Sequence, residues 1–161
     1  MNKIRVAIAG IGNCASSLVQ GLEYYRDKRP EDAIGLMHWE VGSYRPFDIE
    51  VVAAFDIDRR KVGTPVEQAI FAKPNRAMVF QESLPASGVT VLMGPILDGV
   101  APHMSDYPDD EAFRAADAEP VSVVEVLRSS RADVLVCYLP VGSEDAVRHY
   151  TRACLDAGVA I

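Results

Sequence analysis

The pattern of apolar positions near the start of the chain changes from a strand repeat to a helical repeat. Ile4, Val6 and Ile8 alternate with other residues before the run turns wholly apolar, which is typical of a buried strand in a parallel sheet. Apolar residues then recur with helical spacing on one face, at Ala15, Leu18, Val19, Leu22 and Tyr25. The pattern therefore predicts a strand that leads directly into a helix.

Strand and helix patterns continue to alternate along the rest of the chain. Further strands are predicted at residues 49–55, 76–80, 89–92 and 133–138. Helices are predicted within 61–71, from Pro120 to about Arg131, and from an N-cap at Ser143 to about Ala157, with a helical turn in 109–116. Residues 27–46 form an insertion whose segment 36–41 is interpreted as a short strand or hairpin arm. This order predicts an α/β fold with a doubly wound, mainly parallel sheet and helices on both faces.

Two glycines and an alanine follow the first strand with the spacing G-x-G-x-x-A, at Gly10, Gly12 and Ala15. Gly10 permits a tight turn, and Gly12 has no Cβ, so that a diphosphate can approach the backbone. Ala15 is small enough for the helix to lie close to the strand. The helix then points unpaired N–H groups and its positive dipole end at the phosphates. The motif predicts a Rossmann-like dinucleotide-binding domain, and residues 1–161 are interpreted as one such domain.

Asp56 ends the second predicted strand, where an acid can accept hydrogen bonds from the adenosine ribose hydroxyls. It lies further from Gly12 than the usual spacing of about 20 residues, because the insertion comes between them. Asp58 is the alternative acid. The basic run Arg59–Lys61 fits either a contact to the 2′-phosphate of NADP or the solvated start of a helix. Because an acid at the strand tip would repel that phosphate, Asp56 favours NAD.

Two more loops leave strand tips on the same predicted edge of the sheet. Residues 94–99 (GPILDG) follow one strand, and residues 139–143 (LPVGS) follow another. Such loops lie on the ligand edge of a doubly wound sheet, although the spacing of the first loop fits a plain turn equally well. Ser143 is predicted to cap the last helix, where Glu144 and Asp145 complement the helix dipole.

The composition disfavours several classes of function. The 161 residues carry a net charge of −7 and a pI of about 4.9, so nothing favours nucleic acid or an anionic membrane as a partner. No apolar run approaches the roughly 20 residues that a membrane span needs. Three cysteines without C-x-x-C spacing fit reduced thiols in a cytosolic protein, with Cys137 and Cys154 as core residues.

The last residues, 155–161 (LDAGVAI), have the pattern of a helix end, a C-cap at Gly158 and the start of another buried strand. A parallel sheet is not expected to stop inside a strand. We therefore expect the chain to be the N-terminal part of a longer protein.

No catalytic motif is found along the chain. H-E-x-x-H, G-x-S-x-G, Walker motifs and paired carboxylates at a meaningful spacing are all absent from the sequence. The sequence therefore predicts no catalytic residue and no metal ligand. If the chain belongs to an enzyme, most of the chemistry is expected elsewhere.

Several sequence blocks, in this order, resemble the shorter bacterial and archaeal type of myo-inositol-1-phosphate synthase, also called inositol-3-phosphate synthase. They are GIGNCASSLVQGLEYY (10–25), GLMH (35–38), AAFDID (53–58), AIFA (69–72), GPILDG (94–99), DAEP (117–120) and YLPVGSE (138–144). The resemblance covers nearly the whole chain and is far more specific than the glycine motif. It implies a cytoplasmic enzyme of inositol and phospholipid biosynthesis that converts glucose 6-phosphate to inositol phosphate.

The resemblance also implies a bound NAD that oxidises C5, after which an enolate at C6 closes on C1 and the inosose is reduced. The implied cofactor contacts are Gly10, Gly12, Asn13, Cys14, Ala15, Asp56, Gly94, Asp98, Ala118, Tyr138, Leu139, Pro140 and Ser143. The family's substrate domain, with its catalytic lysines and much of a homotetramer interface, is expected beyond Ile161, so the chain alone is expected to be inactive. The alternatives are the N-terminal half of another NAD-dependent oxidoreductase, or a stand-alone NAD-binding or sensing module.

Overall fold

The computed structural model describes residues 3–161, which fold around a four-stranded sheet. Within these residues the elements are β1 (Ile4–Ala9), α1 (Asn13–Tyr24), β2 (Ile49–Asp56), α2 (Val66–Ala69), β3 (Val91–Met93), α3 (Val123–Ser130), β4 (Val134–Cys137) and α4 (Glu144–Ala157). Short 3-10 helices lie in the connections, at Pro30–Asp32, Pro46–Asp48 and Pro102–Asp106. The alternation of strands and helices predicted from the sequence is confirmed.

The four strands run parallel in the order β3-β2-β1-β4. β1 pairs with β2 from Ile4 opposite Ile49 to Ala9 opposite Phe55, and it pairs with β4 on its other side. The chain steps outward from β1 to β3 and then crosses back to β4, so a crevice opens where the carboxyl ends of β1 and β4 diverge. The predicted α/β fold with a doubly wound parallel sheet is therefore confirmed.

Helices cover both faces of this sheet, and each face has its own apolar core. On one face α3 and α4 pack against β-strand residues that include Ala9 and Phe55, both fully buried. On the other face α1 and α2 pack against residues that include Ile8 and Ala54. Small strand residues let the helices approach the sheet closely. None of the helices within residues 3–161 has the length and apolar composition needed to cross a membrane.

The chain after α4 follows the predicted pattern. Gly158 caps α4 in the left-handed conformation, with φ +74°, which glycine adopts without strain. Ala160 then pairs in parallel with Val134, and its carbonyl accepts a hydrogen bond of 2.8 Å from the Leu135 N–H. A further strand therefore begins beside β4.

The strand predicted at 76–80 is wrong. This segment lies along α1, where the buried side chain of Gln20 binds its backbone. The Gln20 Oε1 accepts from the N–H groups of Phe80 (2.9 Å) and Gln81 (3.1 Å), and its Nε2 donates to the Met78 carbonyl (3.2 Å). An alternating pattern does not specify whether the backbone will bond to a strand or to side chains of a helix.

Smaller differences concern element ends and the insertion. α3 begins after an N-cap at Ser122, so Pro120 precedes the helix instead of starting it. The helix predicted within 61–71 is limited to the four residues of α2. In the described chain, residues 36–41 are not a strand, and Val41 makes a single antiparallel bridge with Tyr44.

Candidate dinucleotide site

A cavity of about 330 Å³ lies at the carboxyl edge of the sheet, where the strand tips meet the start of α4. It is the crevice expected for a ligand in a doubly wound fold. Most of the residues predicted from the sequence line it: Gly10, Gly12, Asn13, Asp56, Tyr138, Leu139, Pro140 and Ser143. The fold thus brings together residues from three separate stretches of the sequence.

Gly10 sits where the tips of β1, β2 and β4 come into contact. Its φ is +91°, and its N–H donates to the Phe55 carbonyl at 2.8 Å. A Cβ on Gly10 would lie 2.9 Å from the Tyr138 carbonyl oxygen, which is closer than real Cβ atoms approach. Both the backbone conformation and the close neighbour therefore require glycine here.

Gly12 is open toward the cavity instead. It is the N-cap of α1 with an ordinary φ of −90°, and a Cβ built on it meets nothing within 4 Å. Among residues 3–161, no side chain caps this helix end and no acidic residue lies in its first turn. Ala15 is fully buried beneath the turn. The free N–H groups and the space beside Gly12 fit the diphosphate of a dinucleotide.

Asp56, at the tip of β2, is largely engaged by the backbone. Its Oδ2 accepts from the Ile11 N–H at 2.7 Å, and its Oδ1 accepts from the N–H groups of Ile57 (2.7 Å) and Asp58 (2.8 Å). A carboxylate has about four lone-pair sites, so these bonds leave one for a ligand hydroxyl. Asp56 both holds the glycine turn and presents a remaining acceptor to the cavity.

The other charged groups near this strand tip point away from the cavity or are paired. Asp58 is 1% exposed and forms an ion pair with Arg60 at 2.8 Å, so it is not available to a ribose. Arg59 pairs with Asp109 at 2.6 Å on the surface. Arg59 and Arg60 also bond to the backbone of residues 112–114, so two of the three cations considered for a 2′-phosphate are engaged.

Lys61, the third cation, is buried beneath the glycine turn. It is 4% exposed, and its Nζ donates to the Ile11 carbonyl at 2.8 Å and to the Asn75 Oδ1 at 3.0 Å. The Asp56 Oδ2 lies 3.8 Å from the same Nζ. Burial lowers the pKa of this ammonium, and the nearby carboxylate of Asp56 partly opposes that shift. The sequence carries no local signal for this position, because the contacts come from distant segments.

The loop after β3 lines the cavity through Pro95, Leu97 and Gly99, and it also supports α4. The Asp98 carboxylate accepts from the N–H groups of Asp145 (2.8 Å) and Ala146 (3.0 Å). The N–H of Asp145 is the main cause that lowers the pKa of this carboxyl. Gly94 is needed for packing, since a Cβ on it would collide with the hydroxyl of the buried Tyr150.

Asp98, and not the Ser143 hydroxyl, is therefore the capping side chain of α4. Ser143 stands at the N-cap position without a side-chain bond to the helix, which corrects the prediction from sequence. Its Oγ is buried at the cavity and has no hydrogen-bond partner among the described residues. A buried hydroxyl normally has a partner, so this group suits a polar atom of a ligand.

Tyr150 was not predicted from the sequence, and α4 brings it to the wall of the cavity. Its ring packs against Phe55 with centroids 5.7 Å apart, and the residue is 3% exposed. Burial strongly raises the pKa of the phenol, so it stays protonated. It is buried on the same helix as Ala146 and Ala153, and only the tertiary structure shows that it reaches the cavity.

Besides Ala15, Gly94 and Asp98, two more predicted residues lie outside the cavity. Cys14 is exposed and lines a neighbouring groove of about 930 Å³ between α1 and the insertion. Ala118 is exposed in the connection from β3 to α3 and does not line the 330 Å³ cavity.

Similarity to known proteins agrees with this architecture. The chain is 48% identical over 98% of its length to inositol-3-phosphate synthase of Mycolicibacterium smegmatis, and 49% identical over 98% to that of Corynebacterium glutamicum. In both comparisons the chain spans 42% of the relative's length. No protein-family model matches the chain.

Two solved structures share this fold. The crystal structure of Ari2 superposes with a TM-score of 0.79 at 36% identity, over 99% of this chain and 44% of that one. A myo-inositol-1-phosphate synthase-related protein from Thermotoga maritima shares the fold, with a TM-score of 0.56 at 19% identity over 98% of this chain and 41% of its own. Both sequence relatives are inositol-3-phosphate synthases, the family that the motifs resemble. Over nearly its whole length the chain is therefore homologous to part of the inositol-3-phosphate synthases.

Proposed function

We propose that this chain binds NAD in the 330 Å³ cavity and forms the cofactor-binding part of an inositol-3-phosphate synthase. Such an enzyme converts D-glucose 6-phosphate to 1D-myo-inositol 3-phosphate. Because the chain spans 42% of its relatives' length, the complete reaction is proposed for a protein that also contains a substrate-binding region. For that protein we also propose a cytoplasmic location and a homotetramer, on the strength of the family resemblance.

The observation that carries the proposal is the glycine turn at the start of α1. Gly12 leaves open space beside a helix end whose N–H groups have no capping side chain in the described chain. A diphosphate placed there would accept hydrogen bonds from that helix end and would be stabilised by the helix dipole. The buried Ser143 hydroxyl at the other side of the cavity would then pair with a polar group of the ligand.

The charges around Asp56 support NAD over NADP. A 2′-phosphate at the tip of β2 would lie next to the Asp56 carboxylate. Arg59 and Arg60 are already paired with Asp109 and Asp58, so neither is free to offset that repulsion. Ribose hydroxyls, in contrast, can donate to the remaining lone pair of Asp56.

Bound NAD would supply a reversible hydride transfer, which the proposed oxidation and later reduction of the sugar both require. The residues of this chain hold and orient that cofactor. Neither of the lysines near the cavity suits the sugar phosphate, because Lys61 is buried under the turn and Lys73 is on the surface of the connection after α2. We therefore propose that the cations for the sugar phosphate and the enolate lie in the substrate-binding region.

Isothermal titration of the purified chain with NAD and with NADP tests the proposal. We expect NAD to bind at least about tenfold more tightly, which corresponds to roughly 1.4 kcal/mol. Arg59→Ala is the control, and it should leave both affinities nearly unchanged because Arg59 is engaged by Asp109. Equal or tighter binding of NADP would show that the interpretation of Asp56 is wrong, and absence of binding to either nucleotide would refute the proposed cofactor.

A further inference from the structure

We infer that Lys61 and Asn75 are positioning residues that fix the Ile11 peptide, so that the glycine turn is preorganised for the diphosphate of the dinucleotide. The inference rests on the proposed function, because it concerns the same cavity. It adds two side chains that the glycine motif does not contain.

The backbone of Ile11 is held through both its N–H group and its carbonyl group. It lies between Gly10 and Gly12, and its N–H donates to the Asp56 Oδ2 at 2.7 Å. Its carbonyl accepts from the Lys61 Nζ at 2.8 Å and from the Asn75 Nδ2 at 3.0 Å. Each of these side chains lies at least 45 residues along the chain from Ile11, so the turn is fixed by tertiary contacts and not by its own sequence.

Asn75 connects this arrangement to its surroundings. Its Nδ2 also donates to the Ile70 carbonyl at 2.9 Å, while its Oδ1 accepts from the Lys61 Nζ at 3.0 Å. The following residues are held by the turn in return, because the Asn13 Oδ1 accepts from the N–H groups of Arg76 (2.7 Å) and Ala77 (3.0 Å). The segment after α2 and the start of α1 therefore hold each other in position.

The burial of Lys61 indicates that its charge has a role beyond packing. Taking an ammonium out of water costs free energy that an apolar side chain of similar length would not incur. Lys61 is 4% exposed, and its cation lies directly behind the carbonyl that precedes Gly12. A cation there opposes the negative charge of Asp56 and adds to the positive field that α1 directs at a bound anion.

The fixed peptide matters because Gly12 has no side chain to hold it in place. The Ile11 carbonyl and the Gly12 N–H belong to one planar peptide unit, so the bonds that hold the carbonyl also fix the direction of the N–H. If the Ile11 carbonyl rotated, the first N–H groups of α1 would no longer converge on one phosphate. Preorganisation removes this ordering cost from the binding step.

The experiment compares ADP, which carries a diphosphate, with adenosine, which does not. Purified wild type, Lys61→Met, Asn75→Ala and the control Lys73→Met are titrated with each ligand by ligand-observed NMR. Lys73 is exposed, so Lys73→Met makes the same charge change without touching the turn. We expect Lys61→Met and Asn75→Ala to lower the affinity for ADP at least about tenfold and the affinity for adenosine by less than about twofold.

Each other outcome has a distinct meaning. Equal ADP affinity in wild type and both variants would overturn the inference. An equal loss of affinity for ADP and for adenosine would also overturn it, because that result indicates a general collapse of the cavity. A wild type that binds neither ligand would instead refute the proposed function. If Lys61→Met does not fold, Asn75→Ala alone decides between these results, since it removes the second donor to the Ile11 carbonyl.

Discussion

Substitution by alanine should lower the stability of the fold at Gly10 and the affinity for ADP at Gly12. In Gly10→Ala, the new Cβ would lie 2.9 Å from the carbonyl oxygen of Tyr138 and 3.0 Å from its carbonyl carbon. These are backbone atoms at the tip of β4, so they cannot rotate away as a side chain could. The residue would also retain a φ near +91°, which side-chain-bearing residues rarely adopt.

The expected loss of stability follows from these two effects. Backbone strain costs about 1–3 kcal/mol, and overpacking against a fixed neighbour costs a similar amount. We therefore expect Gly10→Ala to lower the free energy of unfolding by about 3 kcal/mol, which lowers the melting temperature by roughly 6–12 °C for a chain of this size. Scanning calorimetry and urea denaturation measure this change directly.

Gly12→Ala is the matched control, with the same added methyl two residues away. Alanine can adopt its φ of −90°, and the added Cβ meets nothing within 4 Å. The free energy of unfolding should therefore change by about 1 kcal/mol or less. The methyl group would occupy the space proposed for the diphosphate, so ADP affinity should fall at least about tenfold. Equal melting temperatures for the two variants would refute the packing argument at Gly10, and unchanged ADP affinity in Gly12→Ala would refute the assigned phosphate position.

Two further predictions concern the cap of α4 and the activity of the chain. Asp98→Asn should melt below the wild type at pH 7, because the pKa of this carboxyl is lowered by N–H donors of α4, chiefly that of Asp145. A lowered pKa means that the stabilisation is fully present above the ordinary value of 3.8 and is lost as pH falls through the folded-state value, so thermal melts should converge in acid. A melting difference that does not depend on pH would contradict this assignment. The 161-residue chain incubated with glucose 6-phosphate and NAD should form no inositol phosphate by mass spectrometry, and sustained turnover would show that its own residues suffice for the chemistry.

Local sequence was sufficient wherever a structural requirement falls within one turn or one element. The positive φ of Gly10, the small Ala15 under the turn and the apolar face of α1 all follow from neighbouring residues. The Gly158 cap and the order of strands and helices follow in the same way. Since parallel strands joined by helices present their carboxyl ends on one edge, that order also predicted which tips would share a cavity.

The tertiary structure decided which of several chemically suitable partners each group actually uses. A serine before α4 looked like its cap, but the fold delivers the Asp98 carboxylate to that helix end and leaves the Ser143 hydroxyl facing the cavity. Residues 76–80 have a strand pattern, yet Gln20 satisfies their backbone from α1. The basic run that contains Lys61 predicts a solvated side chain or a contact to a 2′-phosphate. In the fold, Lys61 is buried and donates to the Ile11 carbonyl.

The sequence by itself therefore determined the fold class, the glycine turn and the similarity to inositol-3-phosphate synthases, because these depend on residue type and spacing within short stretches. Only the folded chain decided the pairing of Asp56, Lys61 and Asn75 around the Ile11 peptide. These side chains and the turn lie far apart in the sequence. Their contacts are set by how the helices and connections pack on the sheet. Buried polar groups need hydrogen-bond partners, and packing brings those partners from segments that are distant in the sequence.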